Sequence, residues 1–486
     1  MRINRRELLK YGAAMFAGET VARSTYARLG IKYSSSRPTT PRFTVPLRIP
    51  PELRPVRRDE ATDYYEIAQK EAFVEILPGQ RTRIWGYEGM FPGPTIRALR
   101  GRKVVVRHSN QLKTHTAVHL HGGVTAAQFD GFPTDTIMPG ESRSYEYLNR
   151  GCGTTLWYHD HAMDHTGRNI YMGLVGLYLI ADKREGALNL PSDEYDIPLL
   201  LQCHSFGEDG RIEYHAGPAG RMGAYGDTIL VNGAPWPRLD VGARKYRFRI
   251  LNASNARAFR LSLNSGRPLV QIATDGGLLP APVKCDSISI AMAERVEIVL
   301  DFSEYPIGSR VTLQNQEGKG ALGDIMQFEV AREERDDSSL PEKLIDVPKL
   351  DVQSSVRERR FDFGGTPSLG FPFVVWTING KRFDAETPLA QVRYGDVEVW
   401  HLRNRGFGPL SMLHPIHIHL GHFQILERNR RAPLPWERGW KDTISLQPHE
   451  DAKVIMKFDG YRGRYLIHCH NLEHEDHSMM ARFDVV

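Results

Sequence analysis

The feature that most constrains the fold is a short phrase that occurs three times along the chain at nearly equal spacing. Each copy begins with an acidic or amide residue followed by a turn glycine, at Glu88-Gly89, Asn232-Gly233 and Asn379-Gly380. The copies are therefore 144 and 147 residues apart. A β-rich run follows each phrase and ends in an Arg/His-x-x-Asn tetrad, at residues 107–110, 249–252 and 401–404. This spacing is far longer than that of a solenoid repeat. The pattern therefore predicts three copies of one domain.

The runs inside each copy have the character of β-strands. They are short, rich in β-branched and aromatic residues, and bounded by glycine, proline, asparagine or aspartate. Residues 245–250 alternate polar and apolar side chains, which is typical of a half-buried strand, whereas long amphipathic helical patterns are scarce. We therefore predict an all-β fold of three Greek-key β-sandwich or barrel domains. Their predicted bounds are 37–185, 186–345 and 346–486.

Two polar stretches are interpreted as connections. Residues 331–360 are predicted to form a linker into the third domain, and the Pro- and Arg-rich residues 37–58 an extended arm before the first. A length of 486 residues agrees with about three domains. The formal net charge of +5 is small for this length, and much of the excess lies near the amino terminus. We therefore infer no nucleic-acid binding.

The first residues of the chain contain a pattern for protein export. A twin arginine, Arg5-Arg6, is followed by two leucines and a short, mostly small and apolar run. Such a pattern addresses proteins that are exported after folding, and a receptor reads it. Residues 1–36 are therefore predicted to be a twin-arginine signal and arm, with the export machinery as a partner and the periplasm or extracellular space as destination. No other segment approaches the length of a membrane span.

The four cysteines do not have the pattern of a disulfide framework. In one interpretation, a disulfide bridge joins Cys203 to Cys285. The other is that these two and Cys152 are reduced thiols. The fourth cysteine, Cys469, lies in a histidine-rich segment near the carboxyl terminus.

Four His-x-His pairs dominate the distribution of metal-binding residues. In a strand, alternate side chains share one face, so each pair presents two imidazoles to the same side. The pairs are His119/His121, His159/His161, His417/His419 and His468/His470. A single pair is usually structural, and such pairs also bind zinc. Four pairs in one chain indicate a metal site of eight imidazoles.

A sulfur ligand lies between the last two of these histidines. If the segment is a strand, Cys469 points to the face opposite its two neighbours. His414 and His474 remain to join it, with Met479 downstream. A thiolate, two imidazoles and a weak methionine are the ligands of a blue-copper electron-transfer site, and imidazoles alone suit copper that binds dioxygen. The segment therefore predicts that electrons pass from Cys469 to its histidine neighbours.

The pairs are unevenly distributed among the three predicted domains. Two pairs lie in the first domain, two in the third and none in the second. A site that uses all four pairs must therefore be built at an interface between the first and third domains. The second domain is interpreted as a spacer that holds the other two in register.

The motifs HLHGG, WYHDH, HPIHIHL and HCHNLEHEDHSMM resemble those of the multicopper oxidases, the laccase-like family of three cupredoxin domains, and they stand in the family's order. The similarity extends from about Phe43 to Val486. WYHDHAM, VNGAPWP and ISIAMAERVEIVLDFS are most similar to bilirubin oxidases and bacterial spore-coat laccases. The resemblance implies four copper ions per chain: one type 1, one type 2 and two type 3.

The resemblance also implies a role for each matching residue. The implied ligands are Cys469, His414, His474 and axial Met479 for type 1 copper; His119 and His417 for type 2; and His121, His159, His161, His419, His468 and His470 for type 3. Asp130 and Glu475 match acids that deliver protons to dioxygen. The alternatives are a turn residue for Asp130 and a solvated carboxylate for Glu475.

The activity that the resemblance implies is one-electron oxidation of a reductant near an exposed edge of His474 or His414, coupled to four-electron reduction of dioxygen to water. Bilirubin oxidases have a tryptophan shortly before the type 1 histidine of HPIHIHL, where this chain reads Ser411-Met412-Leu413. Phenols or aromatic amines are therefore the expected donors, ahead of bilins.

Other functions remain as alternatives. Met412 is either a ligand for cuprous ions or a core residue, so a metallo-oxidase of cuprous or ferrous ions is the first alternative. A copper nitrite reductase is disfavoured because its second site needs only one copper. A copper-free scaffold of the cell envelope is disfavoured by the full ligand set. A monomer is expected.

Overall fold

The computed structural model describes residues 40–216, 222–367, 374–408 and 411–486. The predicted export signal lies outside these residues. Across the described ranges the chain is almost entirely β-structure, as predicted, and its strands form three two-sheet sandwiches in chain order. No helix of the described residues is long and apolar enough to cross a membrane.

The first sandwich contains strands β1 (Arg57–Arg58), β2 (Thr62–Val74), β3 (Thr82–Tyr87), β4 (Ile96–Leu99), β5 (Lys103–Asn110), β6 (Val118–His121), β7 (Ser142–Tyr147), β8 (Thr154–Asp160) and β9 (Val175–Ala181). Its sheets have the orders β1-β2-β5-β7, with β3 beside β2, and β4-β9-β8-β6. Short helices α1 (Thr166–Met172) and α2 (Lys183–Gly186) flank β9. One apolar core lies between the sheets.

The second sandwich contains β10 (Asp196–His204), β11 (Thr228–Val231), β12 (Ala234–Pro235), β13 (Arg238–Gly242), β14 (Lys245–Asn252), β15 (Phe259–Leu263), β16 (Leu269–Thr274), β17 (Gly277–Cys285), β18 (Ile288–Ile290), β19 (Arg295–Asp301), β20 (Arg310–Asn315) and β21 (Asp324–Arg332). Its sheets have the orders β12-β11-β10-β14-β19-β16-β17 and β13-β21-β20-β15-β18. Their inner faces share a core.

The third sandwich contains β22 (Ser355–Pro367), β23 (Val374–Ile378), β24 (Ala390–Val392), β25 (Val397–Asn404), β26 (His414–Ile418), β27 (Phe423–Arg428), β28 (Thr443–Leu446), β29 (Asp451–Lys457), β30 (Gly463–Cys469) and β31 (Met480–Val485), with helix α3 (Leu472–Asp476) between β30 and β31. Its sheets are β23-β22-β25-β29-β27 and β24-β31-β30-β26-β28. The 3-10 turns of the described chain include Ala127–Phe129, Asp193–Tyr195, Phe302–Glu304, Gly320–Gly323, Val352–Ser354 and Pro435–Glu437.

The three sandwiches share one topology, which confirms the threefold repeat. Each sheet is antiparallel except for one parallel pair. These pairs are β2/β5 and β4/β9 in the first sandwich, β10/β14 and β13/β21 in the second, and β22/β25 and β24/β31 in the third. The three tetrads that ended the repeated runs are the last residues of β5, β14 and β25. They therefore occupy equivalent strands.

The amino-terminal arm is extended from residue 40 onward, in agreement with the prediction, and joins two sandwiches. Backbone N–H groups of Phe43 and Leu47 donate to carbonyls of the second sandwich at 2.8 and 2.7 Å. Farther along, the N–H of Leu53 donates to the Thr95 carbonyl of the first sandwich at 2.8 Å. The arm therefore ties the first sandwich to the second.

The structure shortens the predicted linker and decides between the two interpretations of Cys203 and Cys285. The linker prediction of 331–360 was too long, because β21 extends to Arg332 and β22 begins at Ser355. Three of the four charged residues at the start of β22, Arg357, Glu358 and Arg360, are exposed, so a polar sequence there is compatible with a strand. Cys203 and Cys285 are not joined by a disulfide, so the interpretation as reduced thiols is the one that the structure supports.

Candidate metal centre

Two pairs of neighbouring strands bring the His-x-His segments together. In the first sandwich β6 and β8 are antiparallel, and His119 lies opposite His159. In the third, β26 and β30 are antiparallel, and His417 lies opposite His468. Because alternate residues share a face, each strand pair directs its histidines to one side. The two sides meet between the sandwiches, where the ring centroids of His119 and His417 are 5.6 Å apart.

The eight imidazoles form one compact, buried cluster. Within the implied type 3 sets, ring centroids lie 5.0 to 5.3 Å apart for His161, His419 and His468, and 5.0 to 5.7 Å apart for His121, His159 and His470. Rings of different sets are also stacked, with His119 4.0 Å from His419 and His121 3.7 Å from His417. The two imidazoles implied for type 2 copper therefore adjoin both groups of three type 3 imidazoles. This arrangement suits coppers that act together on one dioxygen molecule.

Buried nitrogen atoms without a partner point to metal ions in this cluster. Across the described residues no hydrogen-bond partner is found for the atoms His119 Nε2, His121 Nδ1, His159 Nε2, His161 Nε2, His417 Nε2 and His470 Nε2. A buried polar atom left unpaired costs about 1–3 kcal/mol, so six in one place need an explanation. Metal coordination provides one, and neutral imidazoles are suitable ligands for copper.

In three of these rings a backbone carbonyl holds the opposite nitrogen. His119 Nδ1 donates to the Asp130 carbonyl at 2.6 Å, and His417 Nδ1 donates to the Asp442 carbonyl at 2.9 Å. His159 Nδ1 donates to the Asp160 carbonyl at 2.8 Å. Metal-binding histidines commonly donate their second N–H in this way, which fixes the tautomer and the ring orientation. In these three rings the pattern leaves Nε2 available for copper, whereas in His121 the available atom is Nδ1.

Burial also favours the neutral form of the imidazoles. It lowers the pKa of His161 to about 4 and of His470 to about 3. For His119, His121, His159, His417 and His419 it lowers the pKa well below the usual value. A metal ligand must be unprotonated, so these rings need not lose a proton when copper binds near neutral pH.

A second site lies on the other face of β30. Cys469 Sγ is 3.4 Å from His414 Nδ1 and 3.6 Å from His474 Nδ1, and the two nitrogens are 3.2 Å apart. Met479 is buried in the same apolar cluster as Cys469, and its carbonyl accepts from the Cys469 N–H at 3.0 Å. Burial raises the pKa of the thiol, so copper binding must displace its proton. Sulfur and imidazole donors at these distances fit the blue-copper ligand set.

The expected exposed edge of His414 or His474 is absent. The two residues are only 1% and 0% exposed. Trp376 of β23 covers them, with its ring centroid 4.0 Å from that of His474 and 5.6 Å from that of His414. An aromatic side chain that is distant in sequence therefore packs against both histidines. Met412 is 4% exposed and packs in the same core, which favours its structural interpretation.

Both candidate proton carriers contact imidazoles of the cluster. His419 Nδ1 donates to Asp130 Oδ2 at 2.7 Å. Glu475 Oε1 is 3.3 Å from His161 Nδ1, and Glu475 Oε2 is 3.1 Å from His468 Nδ1. Both acids are fully buried, and burial raises the pKa of Asp130 to about 8. Neither acid is therefore a solvated surface carboxylate.

Asp442 is a residue of this site that no motif indicated. His121 Nε2 lies 3.1 Å from Asp442 Oδ1 and from Thr443 Oγ1. Asp442 therefore contacts an imidazole of the first sandwich through its carboxylate and His417 of the third through its carbonyl. Nothing in the segment Lys441-Asp442-Thr443 distinguishes it from a charged turn before a strand.

The second sandwich does more than space the other two. The α3 residue Glu473, directly before His474, accepts through Oε1 from Tyr214 Oη and Asn255 Nδ2, both at 2.8 Å. On the other side of His474, Asp476 accepts the N–H groups of Thr166 and Gly167 of α1 at 2.9 Å each. The segment that carries His474 is therefore held by the second sandwich and by the first.

A glycine next to Asp130 supplies a test of this packing. Gly131 has φ +76°, and an added Cβ would overlap the Val118 carbonyl, directly before His119. Gly140 has φ +84° with nothing within 4 Å. We expect Gly140→Ala to lower the free energy of unfolding by about 1–2 kcal/mol, because alanine disfavours a left-handed backbone but its side chain meets no other atom here. Gly131→Ala should lower the free energy of unfolding further and also weaken copper binding. Denaturant unfolding measures the first effect, and metal analysis measures the second. Equal effects of the two substitutions would contradict this packing.

A thiolate site and an eight-imidazole site on opposite faces of one strand define a copper protein of the redox type. Family models of multicopper oxidases match residues 69–185, 209–321 and 348–486. The chain therefore belongs to the multicopper oxidases. It is a copper-binding oxidoreductase that uses dioxygen as acceptor, and its sandwiches are cupredoxin-like.

Individual relatives agree with this assignment. The chain is 38% identical to a laccase of Bacillus subtilis (strain 168), over 92% of this chain and 99% of that laccase. It is 40% identical to a bilirubin oxidase of Albifimbria verrucaria, over 92% and 82% of the two chains. The crystal structure of a multi-copper oxidase from Pediococcus acidilactici is similar with a TM-score of 0.86 at 32% identity, covering 94% of each chain.

Proposed function

We propose that this oxidase takes electrons from phenols or aromatic amines at the thiolate site and delivers them to dioxygen at the eight-imidazole site. The observation that carries the proposal is β30, which presents Cys469 to one site and its two histidine neighbours to the other. The proposed ligands are Cys469, His414, His474 and Met479 for type 1 copper; His119 and His417 for type 2; and His121, His159, His161, His419, His468 and His470 for type 3.

Copper, when bound, supplies the one-electron redox steps and the binding of dioxygen. The chain supplies the connection between the sites. Peptide bonds join Cys469 directly to His468 and His470, so an electron crosses on the order of 10 Å along one strand. All of these residues are buried, and β30 is paired with β26 on one side and β31 on the other.

The protein must also bring protons to a buried site, because all eight imidazoles are 0–1% exposed. In this proposal Asp130 and Glu475 are the carriers, because each carboxylate contacts imidazoles of the cluster. Asp130 Oδ1 also accepts from Thr125 Oγ1 at 3.1 Å, which holds the carboxyl group in place. Reduction of dioxygen to water consumes protons, so positioned acids contribute directly to its rate.

Two structural observations support an organic donor. Met412 is in the core and is only 4% exposed, so it offers little surface to a cuprous ion. Trp376 packs against His474, so the environment of the thiolate site is aromatic and apolar. The relatives named laccase and bilirubin oxidase agree with an organic donor.

Oxygen uptake by the copper-loaded protein tests the proposal. We expect about four coppers per chain, an intense blue colour, and the highest kcat/KM with phenols or aromatic amines among a panel that includes a bilin, ferrous ion and cuprous ion. Faster oxidation of a metal ion than of any organic donor would make the protein a metallo-oxidase. Copper-free, colourless protein after reconstitution would reject both.

Met479 provides a separate prediction about the thiolate site. A thioether near copper gives a lower potential than an apolar side chain does, so Met479→Leu is expected to raise the type 1 potential. The matched control is Met412→Leu, a buried methionine of the same core, which should leave the potential unchanged. Redox titration of the blue absorbance measures both. An unchanged potential in Met479→Leu would remove Met479 from the ligand set.

We further infer export through the twin-arginine route, with a periplasmic or extracellular destination and a monomeric enzyme. The support is Arg5-Arg6 and the leucines that follow, in a segment outside the described residues. Replacing both arginines by lysine should retain the enzyme in the cytoplasm, as cell fractionation would show. Equal export of this variant would contradict the route.

A further inference from the structure

Arg295, at the start of β19, lies in the second sandwich, which contributes no proposed copper ligand. It is 0% exposed, and all five of its side-chain N–H groups are used. Nη1 and Nη2 donate to Asp442 Oδ1 and Oδ2 at 2.7 and 2.5 Å. The remaining donors reach the carbonyls of Thr155 at 2.9 Å, Asp275 at 3.0 Å and Ala293 at 3.1 Å.

These bonds join all three sandwiches at one point. Thr155 belongs to β8 of the first sandwich, Asp275 and Ala293 to the second, and Asp442 directly precedes β28 of the third. The pair between Arg295 and Asp442 is bidentate, so it fixes the plane of the carboxylate as well as its position. A lysine could supply the charge but not the second, parallel hydrogen bond.

Asp442 in turn holds two proposed copper ligands from opposite sides of the interface. Its Oδ1 lies 3.1 Å from His121 Nε2, and its carbonyl accepts from His417 Nδ1 at 2.9 Å. The contact at Nε2 leaves His121 Nδ1 facing the cluster, where that atom has no partner among the described residues. Asp442, together with Thr443 Oγ1 at 3.1 Å from the same atom, therefore holds Nε2 and leaves Nδ1 of His121 available.

We propose that Arg295 is a positioning residue of the trinuclear copper site. It orients the Asp442 carboxylate, and Asp442 orients His121 and His417. This inference rests on the proposed function, which assigns those two histidines as ligands. The second sandwich thereby controls a metal site to which it contributes no ligand.

A purely structural ion pair would stabilise the fold without affecting the copper ligands. The chain contains such a pair, which serves as a matched control. Arg249 of β14 is also buried, and it pairs with Asp196 at 2.7 and 2.9 Å and with Glu297 at 2.9 Å. Its Nη1 reaches Thr155 Oγ1 at 3.2 Å, so it joins the second sandwich to the first but does not reach the third. In the described structure its partners contact no imidazole of the cluster.

The experiment compares full-length, copper-loaded Arg295→Met, Arg295→Lys and Arg249→Met with the native protein. Copper per chain, blue absorbance, the type 2 EPR signal and Tm are measured, and copper is then challenged with a chelator. We expect Arg295→Met to keep the blue centre and to release trinuclear copper at about tenfold lower chelator concentration, as partners behind metal ligands usually do. Arg295→Lys should be intermediate. Arg249→Met should lose thermal stability without selective loss of copper.

Full retention of trinuclear copper in Arg295→Met, with a fall in Tm like that of Arg249→Met, would overturn the proposal. If Arg295→Met does not fold, Asp442→Asn takes its place as the test variant. It must then show the same selective loss of trinuclear copper. In the double variant the two losses should not add, because both act through one carboxylate. Failure of the proposed function would be visible separately, as native protein that lacks trinuclear copper.

Discussion

Replacing Cys469 with serine is expected to abolish the blue colour and to lower the oxidation of every donor by more than about 100-fold, because changes behind a metal ligand already cost 10- to 100-fold. The thiolate is the soft ligand that distinguishes this site, and a serine oxygen does not replace it. Copper should fall from about four ions per chain to about three, since the eight imidazoles are unaffected.

The measurements are absorbance, metal analysis and oxygen uptake. Cys285→Ser is the matched control, because Cys285 is also buried, at 4% exposure, and lies in the second sandwich. That variant should retain colour, copper and turnover. If Cys469→Ser remained blue or kept full turnover, electrons would enter elsewhere and the role of β30 as the connection would be lost.

Replacing Asp130 with asparagine has the second-largest expected effect. Asparagine preserves the shape of the side chain, and its carbonyl oxygen can still accept from His419 Nδ1, but it does not carry a proton. Removal of a positioned acid typically slows a reaction by about 10²- to 10⁴-fold. We therefore expect kcat to fall by about that factor while the copper content stays the same.

The two halves of the reaction can be separated to test this. Anaerobic bleaching of the blue colour by a donor should keep its rate, and reoxidation by dioxygen should slow. Asp160→Asn is the control, because Asp160 is equally buried but its carboxylate accepts from Ala117 N, Ala162 N and Asn169 Nδ2. It should lower stability without slowing reoxidation selectively. Normal reoxidation in Asp130→Asn would exclude a proton-carrying role.

The fold class could be predicted because its signals are local. The period-two pattern of residues 245–250 became β14, and the three tetrads became the ends of equivalent strands. The placement of Cys469 opposite His468 and His470 follows from the alternation of side chains in a strand, independently of any other part of the chain. The start of β22 was missed because its exposed positions carry the charges that also characterise a linker.

The surroundings of the ligands depend on contacts between distant segments. His121 and Asp442 are 321 positions apart, and Arg295 reaches Asp442 across 147. Trp376, which covers His474, comes from a strand of the opposite sheet of the third sandwich. Each of these residues would be an ordinary charged or aromatic side chain in its own segment.

The sequence by itself determined the three β-sandwiches and the histidine and cysteine candidates, because strand periodicity and ligand type are written in neighbouring residues. Only the tertiary structure decided which carboxylates and carbonyls hold those imidazoles, and that the second sandwich reaches the metal centre through Arg295. Buried polar groups must find partners wherever the fold provides them. That choice depends on the packing of all three sandwiches together.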